Sequence, residues 1–162
     1  MSRTLLITFG IGIVVVAIAV SVIVYMQRGG HVELPGKILK VRTSPLDDQS
    51  AAAVIDFRVT NPSDHTFQVR TVTVVLENKF GVQTEGSTAS EIDAQRLMAG
   101  VPLLGDKYNQ SLMVRERVPA HTTLDRMIAA RFEMPDSQLQ SRQRFLLRIE
   151  EWDGVVQEIS EK

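Results

Sequence analysis

The chain has 162 residues, 44% hydrophobic and 23% charged, with a formal net charge of −1. That length holds one domain, the composition is that of an ordinary globular protein rather than a disordered one, and the lack of a basic excess argues against nucleic acid as a partner. With no cysteine in the chain, structural disulfides are excluded and the fold must rest on its core.

The apolar residues crowd one end. From Leu5 to Met26 there is no charged side chain, and Ile and Val dominate. At about 1.5 Å rise per residue the run spans roughly 30 Å, the thickness of a hydrocarbon core. Backbone amides must pair within the segment there, so a helix is expected despite the β-branched residues. We therefore predict one N-terminal transmembrane helix, residues 5–26, behind a short cytoplasmic tail, residues 1–4, with Tyr25 at the interface. A cleaved secretory signal competes, with Arg3 as its n-region and Ala17-Ile18-Ala19 as its cleavage site. Cleavage there would leave Val20, Val22, Ile23, Val24 and Tyr25 as an apolar N-terminus, which favours the uncleaved signal anchor. A tail this short ahead of a first hydrophobic segment stays in the cytosol. The expected location is a bacterial cell membrane, single-pass, N-terminus cytoplasmic and domain extracytoplasmic.

Gly29-Gly30 and Pro35-Gly36 bracket a linker, residues 27–36. Residues 37–162 are long enough for an independent core. A first strand is predicted over Lys37–Thr43. Ala53–Thr60 alternates, with Ile55, Phe57 and Val59 on one side and Asp56 and Arg58 on the other, the period of a half-buried strand. Asn61-Pro62-Ser63-Asp64 ends it, because Pro fixes φ and Asn or Asp bonds its own backbone. The next run alternates as Phe67 and Val69, then as Val72, Val74 and Leu76. That change of parity predicts a bulge near Arg70-Thr71.

Thr84–Gly100 breaks the β rhythm. Thr88 followed by Glu91 has the form of a capping box, and Ala89–Ala99 is rich in helix formers, so a helical insertion is predicted. Strand signals resume over Ser111–Val118, with Leu112, Val114 and Val118 on one face. They continue over Leu124–Phe132, with Ile128, Ala130 and Phe132 inward. Pro135-Asp136 opens a helical turn. Arg144–Trp152 and Val155–Ser160 flank Asp153-Gly154, a hairpin signal. Six or seven short strands with one helical insertion predict an all-β, immunoglobulin- or fibronectin-like antiparallel sandwich behind one N-terminal transmembrane helix.

Asn61-Pro62, the Val69/Val72/Val74 run and Gly81-Val82 resemble the late-embryogenesis-abundant type 2 (WHy) domain, as does Val118-Pro119-Ala120 ahead of Leu124–Phe132. The resemblance implies a noncatalytic, fibronectin-like sandwich, sometimes associated with membranes, and it supplies no catalytic residues.

Signals for chemistry are sparse. His31, His65 and His121 lie far apart in polar contexts, without the paired spacing of a metal site. Asp47-Asp48 and Glu150-Glu151-Trp152-Asp153 lack the alternating oxygen ligands of a calcium loop. There is no Gly-x-Ser-x-Gly elbow and no glycine-rich phosphate loop. We expect no enzyme activity, no catalytic or cofactor-binding residues, no cofactor and no metal. The series Arg115, Arg117, Arg126, Arg131, Arg142, Arg144 and Arg148 suits lipid headgroups or an acidic partner if it shares a face. It suits outward pairing with Glu116, Asp125, Glu133 and Glu150 equally well in kind, and the interspersed acids favour pairing.

The expected function is that of a membrane-tethered extracytoplasmic interaction module, with an unidentified protein or lipid as partner. The alternative is a carrier or sensor of an apolar ligand or lipid near the bilayer, with Ala89–Leu104 as a lid; a membrane-bound hydrolase would need a convergent polar cleft. Loops on rigid sandwiches are where binding resides, so Leu97, Met98, Val101, Leu103 and Leu104 form the candidate contact surface. Capping of an open end of the sandwich is the competing role for these five.

Overall fold

The computed structural model describes residues 13–14, 16–18, 20–22 and 34–161. The chain divides into two compact units, Met1–His31 and Val32–Lys162. In the first, the described residues are helical. No helix among the described residues is long and apolar enough to cross a membrane. The expected tail, the anchor positions Leu5, Tyr25 and Met26, and the linker up to residue 33 lie outside the described residues.

The second unit folds around the apolar alternation of its strands. β1 (Gly36–Asp47) and β2 (Ser50–Asn61) form a hairpin, and β6 (Thr122–Phe132) pairs with the free side of β2. In the second sheet β3 (Phe67–Glu77) has β7 (Arg144–Glu151) and β8 (Val156–Ser160) on one side, and β4 (Gln83–Thr88) with the short β5 (Arg117–Val118) on the other. All these pairings are antiparallel, and the two sheets make a β-sandwich. Their facing sides supply one core, with Ile55, Phe57 and Val59 meeting Phe145, Leu147 and Ile149 from the opposite sheet. The parity change in β3 is a bulge at Arg70: the register against β7 shifts between Val69 and Thr71, so Phe67, Val69, Val72, Val74 and Leu76 all reach the core.

β2 departs from the half-buried reading. From Ser50 to Phe57 it is buried on both faces, Asp56 included. Its outer face, Ala52 and Val54 beside Met127 and Ala129 of β6, is covered by α1 (Glu91–Gly100) and a 3₁₀ turn (Pro102–Leu104). Small side chains there let the insertion sit close, and a second core forms around Ala94, Met98 and Leu104.

β4 is a strand that sequence rhythm passes over. Its first residues pair with β3, up to Val74↔Gly86, and its last two pair with β6, Ser87↔Arg131 and Thr88↔Ala130. It therefore stitches the two sheets together. Gly86 sits at the crossing: a Cβ there would lie 2.6 Å from Cζ of the fully buried Phe132. The strand expected over Ser111–Val118 is mostly loop, with only Arg117 and Val118 in a ladder. At the N-terminus of α1 the cap is Ser90, whose hydroxyl accepts from the Asp93 amide at 3.2 Å, in place of Thr88. A short α2 (Asp136–Gln140) follows β6, and the β7–β8 turn carries Gly154 at φ +92°.

The chain comes in at Leu34, already part of the core, and the Pro35 carbonyl accepts from the Thr60 amide. We call this end of the sandwich proximal. Here Asn61, fully buried, holds the loops together. Its Nδ2 donates to the carbonyls of His65, Val118 and Pro119, and its Oδ1 accepts from the amide and hydroxyl of Ser63. Along the opposite seam β1 meets β8: a Cβ on Gly36 would lie 2.4 Å from Cδ1 of Ile159.

Candidate functional site

Two charged groups fix the insertion, one to the sheet and one to the loop that follows it. The first is Arg42 of β1, almost wholly buried, which pairs with Asp56 of β2 at 2.7 Å. Its Nη1 also donates to the carbonyls of Leu104 and Asp106, Asn109 donates to the other Asp56 oxygen, and the Tyr108 ring lies 5.3 Å from the guanidinium. A buried pair is tolerated only when its remaining donors and acceptors are met, and loop carbonyls do most of that here. The second is Glu91, in the first turn of α1. One carboxylate oxygen accepts from Lys107 Nζ at 2.7 Å, and the other from the Ser111 amide at 2.8 Å. Burial pushes this carboxyl up, but the bonds from Lys107 and from the Ser111 amide, with the Lys107 charge, outweigh it and hold it at about 2. The capping-box position thus fastens a loop sixteen and more residues away.

Of the predicted contact residues, Met98 and Leu104 are buried in the second core, and Leu97 and Val101 are half-buried against it. Leu103 alone points outward, 78% exposed, with Ile92 and Tyr108 also exposed on the insertion and the loop that follows it. The insertion covers an outer sheet face; the space between the sheets is not beneath it.

Between β4 and β5 the edge of β3 has no strand partner in its ladder, and the loop 111–116 fills in. The Arg115 amide donates to the Val69 carbonyl, and the Val69 amide donates to that of Glu116. Beside it lies a cleft of about 330 Å³ lined by Val72, Leu112, Met113, Val114 and Ile128 on its apolar side and by Thr88, Ser90, Glu91 and Ser111 on its polar side. Sequence reasoning missed this cleft because it depends on β4 leaving one sheet for the other.

Most of the arginine series is paired. Arg126 meets Glu116 at 2.7 Å, Arg131 meets Glu133, Arg142 meets Glu161, Arg144 meets Glu77, and Arg148 meets Glu158. Asp125 and Glu150 take Arg58 and Arg70. Among the histidines, His121 contacts Asp64 on the surface, His65 is exposed, and His31 lies outside the described residues. Asp47 accepts from the Gln49 amide and the Ser50 hydroxyl, which lower its pKa and shape the β1–β2 turn. Among the described residues no group of three or more His, Cys, Asp or Glu is placed to hold a metal ion.

Fold and site together define a class: an antiparallel β-sandwich with a helical insertion pinned to one outer face. No family model matches the chain, and no curated protein matches it. Among solved structures it is similar to an uncharacterized β-sandwich protein from Clostridium difficile 630, at 12% identity and a TM-score of 0.43, covering 80% of this chain and 86% of that one.

Proposed function

We propose that this chain is a membrane-tethered, extracytoplasmic, noncatalytic interaction module of a fibronectin-like kind related to the late-embryogenesis-abundant type 2 domains. The tether is the uncharged run Leu5–Met26. The observation that carries the interaction role is the insertion. Arg42 binds the Leu104 carbonyl and Glu91 ties the helix to Lys107 and the Ser111 amide, yet the insertion presents Leu103 to solvent. A pre-organised loop that exposes an apolar anchor binds without the cost of ordering itself. A photo-crosslinking residue at position 103 of the full chain, activated in intact membranes, tests this. A discrete adduct that disappears with Leu103→Asp at unchanged melting temperature supports the reading. Labelling no stronger than from an exposed position on the far sheet, such as Glu158, refutes it.

The carrier reading is favoured by one observation, the cleft at the gap in the β3 edge, whose volume lies at the lower end for small-molecule sites. A spin-labelled fatty acid should broaden the Val72 and Ile128 methyl resonances if the cleft takes an apolar chain.

A further inference from the structure

Among the described residues every arginine is ion-paired except two, Arg115 and Arg117. Both belong to the segment that closes the β3 edge at the proximal end. Arg117 is paired in register with Gln68, and the Gln68 carbonyl accepts from the amide of Trp152. Arg117 therefore lies one strand across from the chain's one tryptophan, which is 58% exposed, and Arg115 follows two residues away along the chain. Met113 and Val114, just before Arg115, are exposed as well. Arg115 moreover has φ +69°, a left-handed conformation that Gly or Asn adopts more cheaply. A long cation is kept at a strained position without a carboxylate to hold it, and strain of that kind clusters at functional positions.

The nearby acids are occupied elsewhere. Glu116 binds Arg126 and the Met113 amide, Glu150 binds Arg70, and Asp64 meets His121. Glu151 is buried, and Asp153 accepts from the Val155 amide in the hairpin turn.

We propose that this proximal surface docks on a bilayer, with Arg115 and Arg117 taking the phosphates of anionic phospholipid headgroups and Trp152, Met113 and Val114 entering the interfacial layer. Arginine binds phosphate through a planar fork, and an indole with one apolar side and one donor settles at headgroup depth. The proposal rests on the tether proposed above. Eight residues carry the chain from Met26 to Leu34, and an extended chain of that length reaches at most about 28 Å. The end at which the chain comes in is therefore the end such a tether keeps within reach of headgroups.

The full chain, reconstituted into phosphatidylcholine vesicles with and without phosphatidylglycerol, provides the test, because tryptophan emission reports Trp152 alone. Docking predicts a blue shift and quenching by lipids doxyl-labelled near the headgroup, stronger in the anionic vesicles and relieved by high salt. Arg115→Gln with Arg117→Gln should lower the docked-to-undocked ratio on the order of 30-fold, taking each arginine near an anionic surface as roughly fivefold. Circular dichroism melting should stay unchanged, since neither side chain has a partner to lose. Equal quenching in both lipids, or quenching that survives in the folded double variant, overturns the proposal, whatever acidic peptide the pair of arginines binds. An alkaline carbonate wash of the same vesicles reads the tether separately. A chain that stays in the membrane yet is not quenched refutes docking alone. A chain that is quenched but washes off upholds docking and refutes the tether.

Discussion

Replacing Gly86 by Ala tests whether one strand crosses between the sheets under an aromatic ring. The added methyl would meet Phe132 Cζ, Cε2 and Cε1 at 2.6, 2.8 and 2.9 Å. Carbon atoms pack at about 3.5–4.0 Å, so ring or strand must retreat by roughly 1 Å. The ring has little room. It is fully buried and lies 5.7 Å, centroid to centroid, from Phe145. Moving the strand would strain pairings to β3 and β6 together. Overpacking of this kind costs about 2–3 kcal/mol, partly offset by the 0.5–1 kcal/mol that Ala gains through a stiffer unfolded chain. We expect a net loss of about 2 kcal/mol in urea unfolding followed by Trp152 fluorescence. Phe132→Leu alone should cost about 1–2 kcal/mol through lost apolar burial. In the double variant the smaller side chain makes room for the methyl, so its cost should fall below the sum by more than about 1 kcal/mol. A Gly86→Ala protein as stable as the parent, or simple additivity in the cycle, would refute the close approach.

Four further outcomes are expected. Leu104→Ala should cost about 2–4 kcal/mol, and Leu103→Ala less than about 0.5, because only the former leaves a cavity in the second core; equal costs in thermal melts would mean that the insertion is seated differently. Phe57→Ala should cost about 3–5 kcal/mol, whereas Arg58→Ala, which breaks a surface pair with Asp125, should cost at most about 1. Asn61→Ala should cost about 2–4 kcal/mol, since three loop carbonyls and the Ser63 amide lose their partner at once, and hydrogen exchange of residues 63–66 should accelerate. The Glu91 carboxyl is lowered from 4.5 to about 2 on folding, so its contribution is complete above pH 4.5 and is lost as pH falls towards 2. After allowance for screening at a partly exposed group this is about 1–2 kcal/mol, and Glu91→Gln should flatten the acid limb of a stability-against-pH curve.

Where the fold depends on alternation and local turn chemistry, the sequence is readable. The Arg70 bulge follows from a change of parity between Val69 and Val72, and the last hairpin follows from Asp153-Gly154. Where one element is placed by others, the local signal misleads. Thr84–Thr88 has no apolar alternation because β4 changes sheets halfway and shows each face to a different neighbour. Ser111–Val118 alternates, yet Arg115 turns left-handed and the segment spends its amides on Val69 and Met127 separately. The small run Ser50–Ala53 is the trace, legible only afterwards, of a sheet face that must admit a helix. Thr88 and Glu91 have capping-box spacing, but Glu91 is committed to Lys107 and Ser111, and no local rule reports a partner at that distance. The candidate contact residues show the same limit. Periodicity places Leu103 and Leu104 together, and only the 3₁₀ turn decides that one faces out and one in.

The seam between Gly36 and Ile159 bears on how the protein is made. The strand that opens the domain is sealed by the strand that closes it, and β2 cannot gain its second neighbour until β6 has been synthesised. The pairings that build the sandwich from its hairpins, β2 with β6, β3 with β5 and β7, and β4 with β6, join residues far apart in the chain, which makes folding slow. During translation the early hairpin β1–β2 thus has an apolar face and nothing to cover it. Such a nascent segment is exposed to wrong partners for as long as residues 122–160 are missing. Lys37 and Lys40, with the register shift beside Leu39, lie on the outer strand of that hairpin. Charge and irregularity there discourage another chain from adding to the edge before the seam closes.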